Sequence, residues 1–166
     1  MYRELAQIIL AIQLSTSNVP YIKEVSLAKV MQKDAIKEDI DPFIFIAIAQ
    51  HESKFNESII SQDGEDYGLL QIRGRHYGGG DPNYLLVGEN NINVGSYIIR
   101  KDKEYCERKL GREPTTQEWL SVYQGSPSAY KCKPTAMTND VETYAMCLQN
   151  NIVYNIKDDC KAIYRN

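Results

Sequence analysis

The stretch Asp41–Asn56, "DPFIFIAIAQHESKFN", decides how the rest of the chain is read. Asp41 followed by Pro42 is a helix start: an aspartate caps the exposed backbone N–H groups, and a proline at the first helical position loses nothing by lacking one. The residues from Phe43 to about Ser53 are apolar nearly all round, so the helix they form is expected to be the buried, central one. Phe45, Ile48 and Glu52 follow i, i+3, i+7 spacing and share a face, which places a carboxyl at the end of a stripe that is otherwise core. Burial there, and the negative end of the helix dipole in the last turn, both disfavour the charged form and raise the carboxyl's pKa. A carboxylic acid that keeps its proton near neutrality is a proton donor in waiting. The plainer reading is a glutamate that ends a helix and points to water.

Working outward, Leu5, Ile8, Ile9 and Ile12 recur at helical spacing, and a second amphipathic helix through Val25, Ala28, Lys29 and Gln32 follows the Asn18-Val19-Pro20 break. Residues 54–89 lose that periodicity, are rich in Gly, Asp and Asn, and hold the short run Gly68-Leu69-Leu70-Gln71-Ile72. They read as a long loop with at most a small β-hairpin. Helices resume over 91–110, 116–124, 140–150 and 155–164, with Gly125-Ser126-Pro127 as a break. The expected fold is mainly α: a helical domain around a central buried helix, with one long loop directly after Glu52. A long irregular loop in a compact domain is more often functional than not.

At 166 residues the chain suits one domain, 1–166, with a core that needs no staples. A formal net charge of -3 offers no basic footprint, which sets nucleic acid aside. No run reaches the roughly 18 apolar residues of a membrane span, and Met1-Tyr2-Arg3-Glu4 does not open like a signal peptide. The four cysteines, Cys106, Cys132, Cys147 and Cys160, lie in the last third without a C-x-x-C pair. That pattern reads as two disulfides and an oxidising compartment rather than zinc. Three pairings are possible, and the short separation of Cys132 and Cys147 makes that pair the expected one. His51 and His76 are too scattered for a metal site, and neither a metal nor a cofactor is expected.

The segments "DPFIFIAIAQHESKFN", "SQDGEDYGLLQI", "ENNINVGSYIIRK", "SVYQGS" and "ETYAMCL" occur in an order that resembles the soluble lytic transglycosylase and goose-type lysozyme family. The resemblance is strongest over 21–150 and implies a lysozyme-like α+β fold with a catalytic loop. It makes Glu52, of the Glu-Ser pair, the catalytic acid and base, with Ser53 helping to fix the hairpin. The family's S-x-x-G and G-L-M-Q elements fall on Ser61, Gly64 and Gly68-Leu69-Leu70-Gln71, with Leu70 in place of Met. Asn91-Ile92 and Gly95 match its Asn-Ile-x-x-Gly element, Gly95 allowing a neighbouring helix to approach. Val122-Tyr123-Gln124-Gly125 matches A-Y-N-x-G, and Tyr144 the family's final Tyr. The implied substrate-binding set is Ser61, Tyr67, Gly68, Leu70, Gln71, Asn91, Tyr123, Gln124 and Tyr144, of which Tyr67 rests on its position alone.

The resemblance implies cleavage of the β-1,4 bond between N-acetylmuramic acid and N-acetylglucosamine in peptidoglycan glycan strands, by a monomer in the periplasm or outside the cell, its leader removed. Two departures bear on the product. One residue more than in the usual transglycosylase lies between Gly64 and Gly68, with an aromatic before the latter as in goose-type lysozymes, and Gln124 replaces Asn. Without a second carboxylate, the substrate's own N-acetyl group and 6-hydroxyl complete the reaction and the product is a 1,6-anhydro sugar. With one, water is activated and the bond is hydrolysed with inversion. Asp63, Glu65 and Asp66 lie in the loop that returns past Glu52, and Asp63 is the expected second catalytic carboxyl of that alternative. The remaining alternative is a glycan-binding module without turnover.

Overall fold

The computed structural model describes residues 4–125 and 131–164. The break expected at Ser126-Pro127 falls outside them. The chain is mainly α, with seven α-helices among the described residues and one two-stranded sheet. Two helices open it, α1 (Leu5–Ser15) and α2 (Tyr21–Glu38), followed by α3 (Pro42–Glu52). As its sequence requires, α3 is buried from Pro42 through Ala49, and the Asp41 carboxylate caps it by accepting from the Phe43 N–H at 2.9 Å. It packs against α1, α2 and α7 (Ala136–Val153), so the apolar run from Phe43 to Ala49 forms the centre of the core.

The segment after α3 holds the sheet, β1 (Asp66–Tyr67) antiparallel to β2 (Ile72–Arg73), with Asp66 opposite Arg73 and Tyr67 opposite Ile72. A one-turn helix α4 (Gly74–Tyr77) and a 3-10 turn (Pro82–Leu86) complete it, more regular structure than the sequence suggested. The hairpin is not a surface flap. Its tip residues Leu69 and Leu70 are buried, and Leu70 Cδ1 fills the space where a Cβ on Gly95 would come within 2.4 Å of it. Gly95 therefore admits a leucine of the hairpin rather than a neighbouring helix. Gly95 belongs to α5 (Gly88–Leu110), which packs against α2 and against α6 (Thr116–Tyr123).

The cysteines are paired, but not as separation suggested: Cys106 joins Cys132 and Cys147 joins Cys160. The expected Cys132–Cys147 bond fails because Cys147 lies eleven residues into α7, about 16 Å along its axis at the helical rise, whereas Cys132 precedes that helix. Cys132 meets α5 instead, with a Cα separation of 5.7 Å from Cys106. The helix expected over 155–164 is a 3-10 turn confined to Cys160–Tyr164, held to α7 by the second disulfide. Helical capping explains the other boundary: the Thr135–Thr138 capping box starts α7 earlier than the apolar pattern did.

Candidate active site

Glu52 is the last residue of α3. The helix stops there because the Ser53 N–H and hydroxyl both return to the Ala49 carbonyl, at 3.1 and 3.0 Å, while Lys54 and Phe55 take left-handed conformations with φ of 52° and 62°. Such backbone is costly for side-chain-bearing residues, and the buried Phe55 anchors it. Ser53 thus closes the helix, and among the described residues its side chain bonds to Ala49 rather than to the hairpin. The reversal leaves the Glu52 carboxyl on the wall of a cleft of about 480 Å³ between the hairpin, α5 and the end of α6. Asp66, Gln71, Arg73, Tyr77, Asp102 and Tyr123 are among the other residues lining it. Burial, and secondarily the like charge of Asp66, push the Glu52 pKa up to about 7.

The hairpin is held in place by buried polar contacts. The Asn91 side chain donates to the Tyr67 and Leu85 carbonyls, both at 2.8 Å, and accepts from the Leu70 N–H at 2.8 Å. Gly68 has a φ of +73°, and a Cβ there would meet the Leu85 carbonyl at 2.2 Å and Asn91 at 2.5 Å, so a glycine is required. Gln71 is left-handed too, φ 47°, with its side-chain N–H donating to the Gly68 carbonyl at 2.9 Å. From the opposite side the Tyr123 hydroxyl donates to the Leu70 carbonyl at 2.8 Å. Burial raises the Tyr123 pKa well above that of an ordinary phenol, so it stays a neutral donor.

The three loop carboxylates converge on one cation. Arg73 pairs with Asp66 at 3.0 Å, Glu65 at 3.2 Å and Asp63 at 3.5 Å, and Arg75 also reaches Glu65 at 3.0 Å. Only Asp66 of the three lines the cleft with Glu52, and both its oxygens face Arg73. Asp63, the expected partner of Glu52, is turned outward with its side chain 59% exposed, and the Ser61 hydroxyl holds its pKa below the usual range. It is not on the cleft wall. Ser61 is a framework residue whose oxygen accepts from the Glu65 and Asp66 N–H groups.

Of the residues expected at the site, Glu52, Leu70, Gln71, Tyr123 and Gln124 come together on the cleft wall, while Gly68 and Asn91 build the hairpin behind it. Tyr67 borders a separate groove with Gly74, Arg75 and Pro82. Tyr144 is fully buried, donates to the Ser15 hydroxyl at 3.0 Å and packs on the Tyr164 ring at 4.9 Å, so it is a pillar of the core rather than a cleft residue. Sequence reasoning missed Asp102 and passed over Arg73. The Asp102 signal was available: on α5 it falls three residues after buried Ile99 and four before buried Cys106, a carboxylate on a core stripe like Glu52.

A carboxyl with its pKa raised to about 7, set in a cleft at the end of a buried helix and faced by a hairpin, can donate a proton near neutrality, which is the first requirement of a glycosidase. Residues 29–132 match the family of the transglycosylase SLT domain, and the chain belongs to that family. The match spans Glu52, the hairpin, Asn91 and Tyr123, and ends before Tyr144. Membership implies lytic-transglycosylase-type action on peptidoglycan in general. Comparison with curated proteins and with solved structures gave no match.

Proposed function

We propose that the protein cleaves the β-1,4 bond between N-acetylmuramic acid and N-acetylglucosamine, outside the cytoplasm, with Glu52 as both acid and base and a 1,6-anhydro sugar as product. Glu52 protonates the glycosidic oxygen as the C1–O bond breaks, and the acetamido carbonyl oxygen of the same sugar closes on C1. The Glu52 carboxylate then takes the proton of the 6-hydroxyl, whose oxygen displaces the acetamido oxygen from C1. Atoms balance without water, and Glu52 ends protonated as it began. The observation that carries this reading is the setting of the carboxyls: Glu52 lies on the cleft wall with its pKa pushed up to about 7 by burial, while Asp66 is occupied by Arg73 on both oxygens. Oxygens engaged in that way are not free to orient a water. The two disulfides fit the oxidising compartment in which the substrate lies.

Hydrolysis with Asp66 activating water is the second reading, favoured by its place in the same cleft. Mass spectrometry of the fragments released from purified peptidoglycan separates the two, since hydrolysis adds one water that the anhydro product lacks. An anhydro product is expected. A hydrated product transfers the role to Asp66, and glycan binding without any fragment reduces the protein to a binding module.

A further inference from the structure

The cleft contains a second acid that the reaction above does not use. Asp102 projects from α5 beside Tyr77, Ile98 and Tyr123, and its Oδ2 is buried without a hydrogen-bonding partner among the described residues. A buried carboxyl oxygen with nothing to bond is expensive to maintain, so nearly all such groups in folded proteins are paired. The fold does not repair this one. No ion pair reaches Asp102 among the described residues, whereas Glu38, buried at the end of α2, has both Lys37 and Arg100 within ion-pair distance. Burial pushes the Asp102 pKa up to about 7, so near neutrality it can accept a hydrogen bond or donate one.

Its surroundings are those of a sugar subsite. Tyr77, 38% exposed, lines the cleft beside it and continues into a second groove with His76 and Tyr97, giving a ring face on which a sugar can lie. A saccharide offers apolar C–H faces to such a ring and hydroxyl or amide N–H groups at its edge. Sites of this type fix their ligand with a few convergent polar groups on an otherwise apolar wall. We infer that Asp102 is a substrate-recognition residue, its carboxyl on the cleft wall hydrogen-bonding a hydroxyl or acetamido N–H of an amino sugar seated against Tyr77. The inference rests on the glycan-cleaving reading of the same cleft and adds to it the residue that selects the sugar.

The test separates binding from turnover. In a Glu52→Gln background, binding of peptide-free peptidoglycan glycan strands is measured by calorimetry, with Asp102→Asn, Asp102→Leu and Asp102→Ala added in turn, and the thermal midpoint of each protein is recorded. Loss of a hydrogen bond to a charged or polarised group predicts roughly ten- to a hundredfold weaker binding for Leu and Ala, with Asn restoring part of it. Leu, which relieves the unpaired buried carboxyl, should melt at or above the parent. Wild-type-like affinity in both the Leu and Ala proteins overturns the inference while leaving the cleavage reading intact. A large fall in melting temperature with unchanged affinity also overturns it, assigning Asp102 a structural role. Failure of the Glu52→Gln protein to bind glycan, with no cleavage by the wild type, overturns both readings.

Discussion

The two walls of the cleft carry the same kind of residue in opposite states. On the hairpin side Asp63, Glu65 and Asp66 are ion-paired with Arg73, and Glu65 with Arg75 as well. On the helical side Glu52 and Asp102 have no such cation among the described residues, and both are pushed up to about 7, chiefly by loss of water. Residue type therefore says little about which carboxyl can give a proton. What separates the walls is whether the charge is compensated by a guanidinium or merely stripped of solvent. The carboxyls of the hairpin wall are engaged in holding its own shape, and those of the helical wall are the ones the proposed reaction and recognition use.

The comparison is broken most severely at Glu52. Glu52→Gln keeps the shape and removes the proton, and cleavage of purified peptidoglycan should fall by at least ~10²–10⁴-fold, as loss of a general acid requires. Retention of more than a few per cent of the activity would end the assignment. The stability of the same variant tests the electrostatics. Because the folded pKa of Glu52 is raised from 4.5 to about 7, the native state holds a proton that the unfolded chain gives up, and Glu52 destabilises the fold increasingly as pH rises through that window. Glu52→Gln should accordingly gain up to about 3 kcal/mol over wild type at pH 8 and almost nothing at pH 4, read from denaturant unfolding at the two pH values. In the wild type, activity should need the protonated form and fall as pH rises through about 7.

On the helical side Cys106 of α5 is joined to Cys132 across a sequence separation of 26 that includes α6. Replacing both cysteines by serine should cost about 3 kcal/mol by the loop-entropy estimate, measured by thermal or denaturant unfolding. An unchanged midpoint would show that the α5–α6 packing alone holds these two helices together.

Arg73→Gln makes the hairpin wall resemble the helical one. Freed of its cation, Asp66 should raise the apparent pKa of Glu52 further, and activity should drop by roughly tenfold as the hairpin loses its central ion pairs. If hydrated product appears alongside the anhydro sugar in this variant, Arg73 is what keeps Asp66 from activating water. The smallest effect is expected from the hairpin carboxyls themselves. Asp66→Asn should shift the alkaline limb of the pH–rate profile to lower pH by removing a like charge, with less than a tenfold change in turnover. A crippled Asp66→Asn protein with hydrated product would reverse the assignment of the two walls.

Much of this architecture was legible in the chain. The Asp41-Pro42 start, the apolar run after it and the Glu-Ser pair at its end are local signals: capping, periodicity and helix termination depend on residues within a few positions of one another. The same locality identified the long segment after Glu52 and the even set of cysteines. Where the reading went astray, the deciding contact was distant in sequence. Asp63 and Asp66 differ by three positions, and nothing local tells which turns toward Glu52; the pairing of Asp66 with Arg73 across the hairpin does. Tyr144 matched a family position, yet its ring is claimed by Ser15 and Tyr164 at the two ends of the chain. Disulfide connectivity followed the placement of α7 against its neighbours and not the spacing of cysteines.

By itself, then, the sequence determined a mainly helical chain built round one apolar helix, and it singled out the glutamate at that helix's end. The tertiary structure decided the acid's environment: the reversal that turns Glu52 into the cleft, the Asn91 contacts that seat the hairpin against α5, and the arrival of Asp102 fifty residues downstream on the same cleft. The physical reason is that a helix is specified by neighbours along the chain, whereas desolvation and charge compensation are set by neighbours in space.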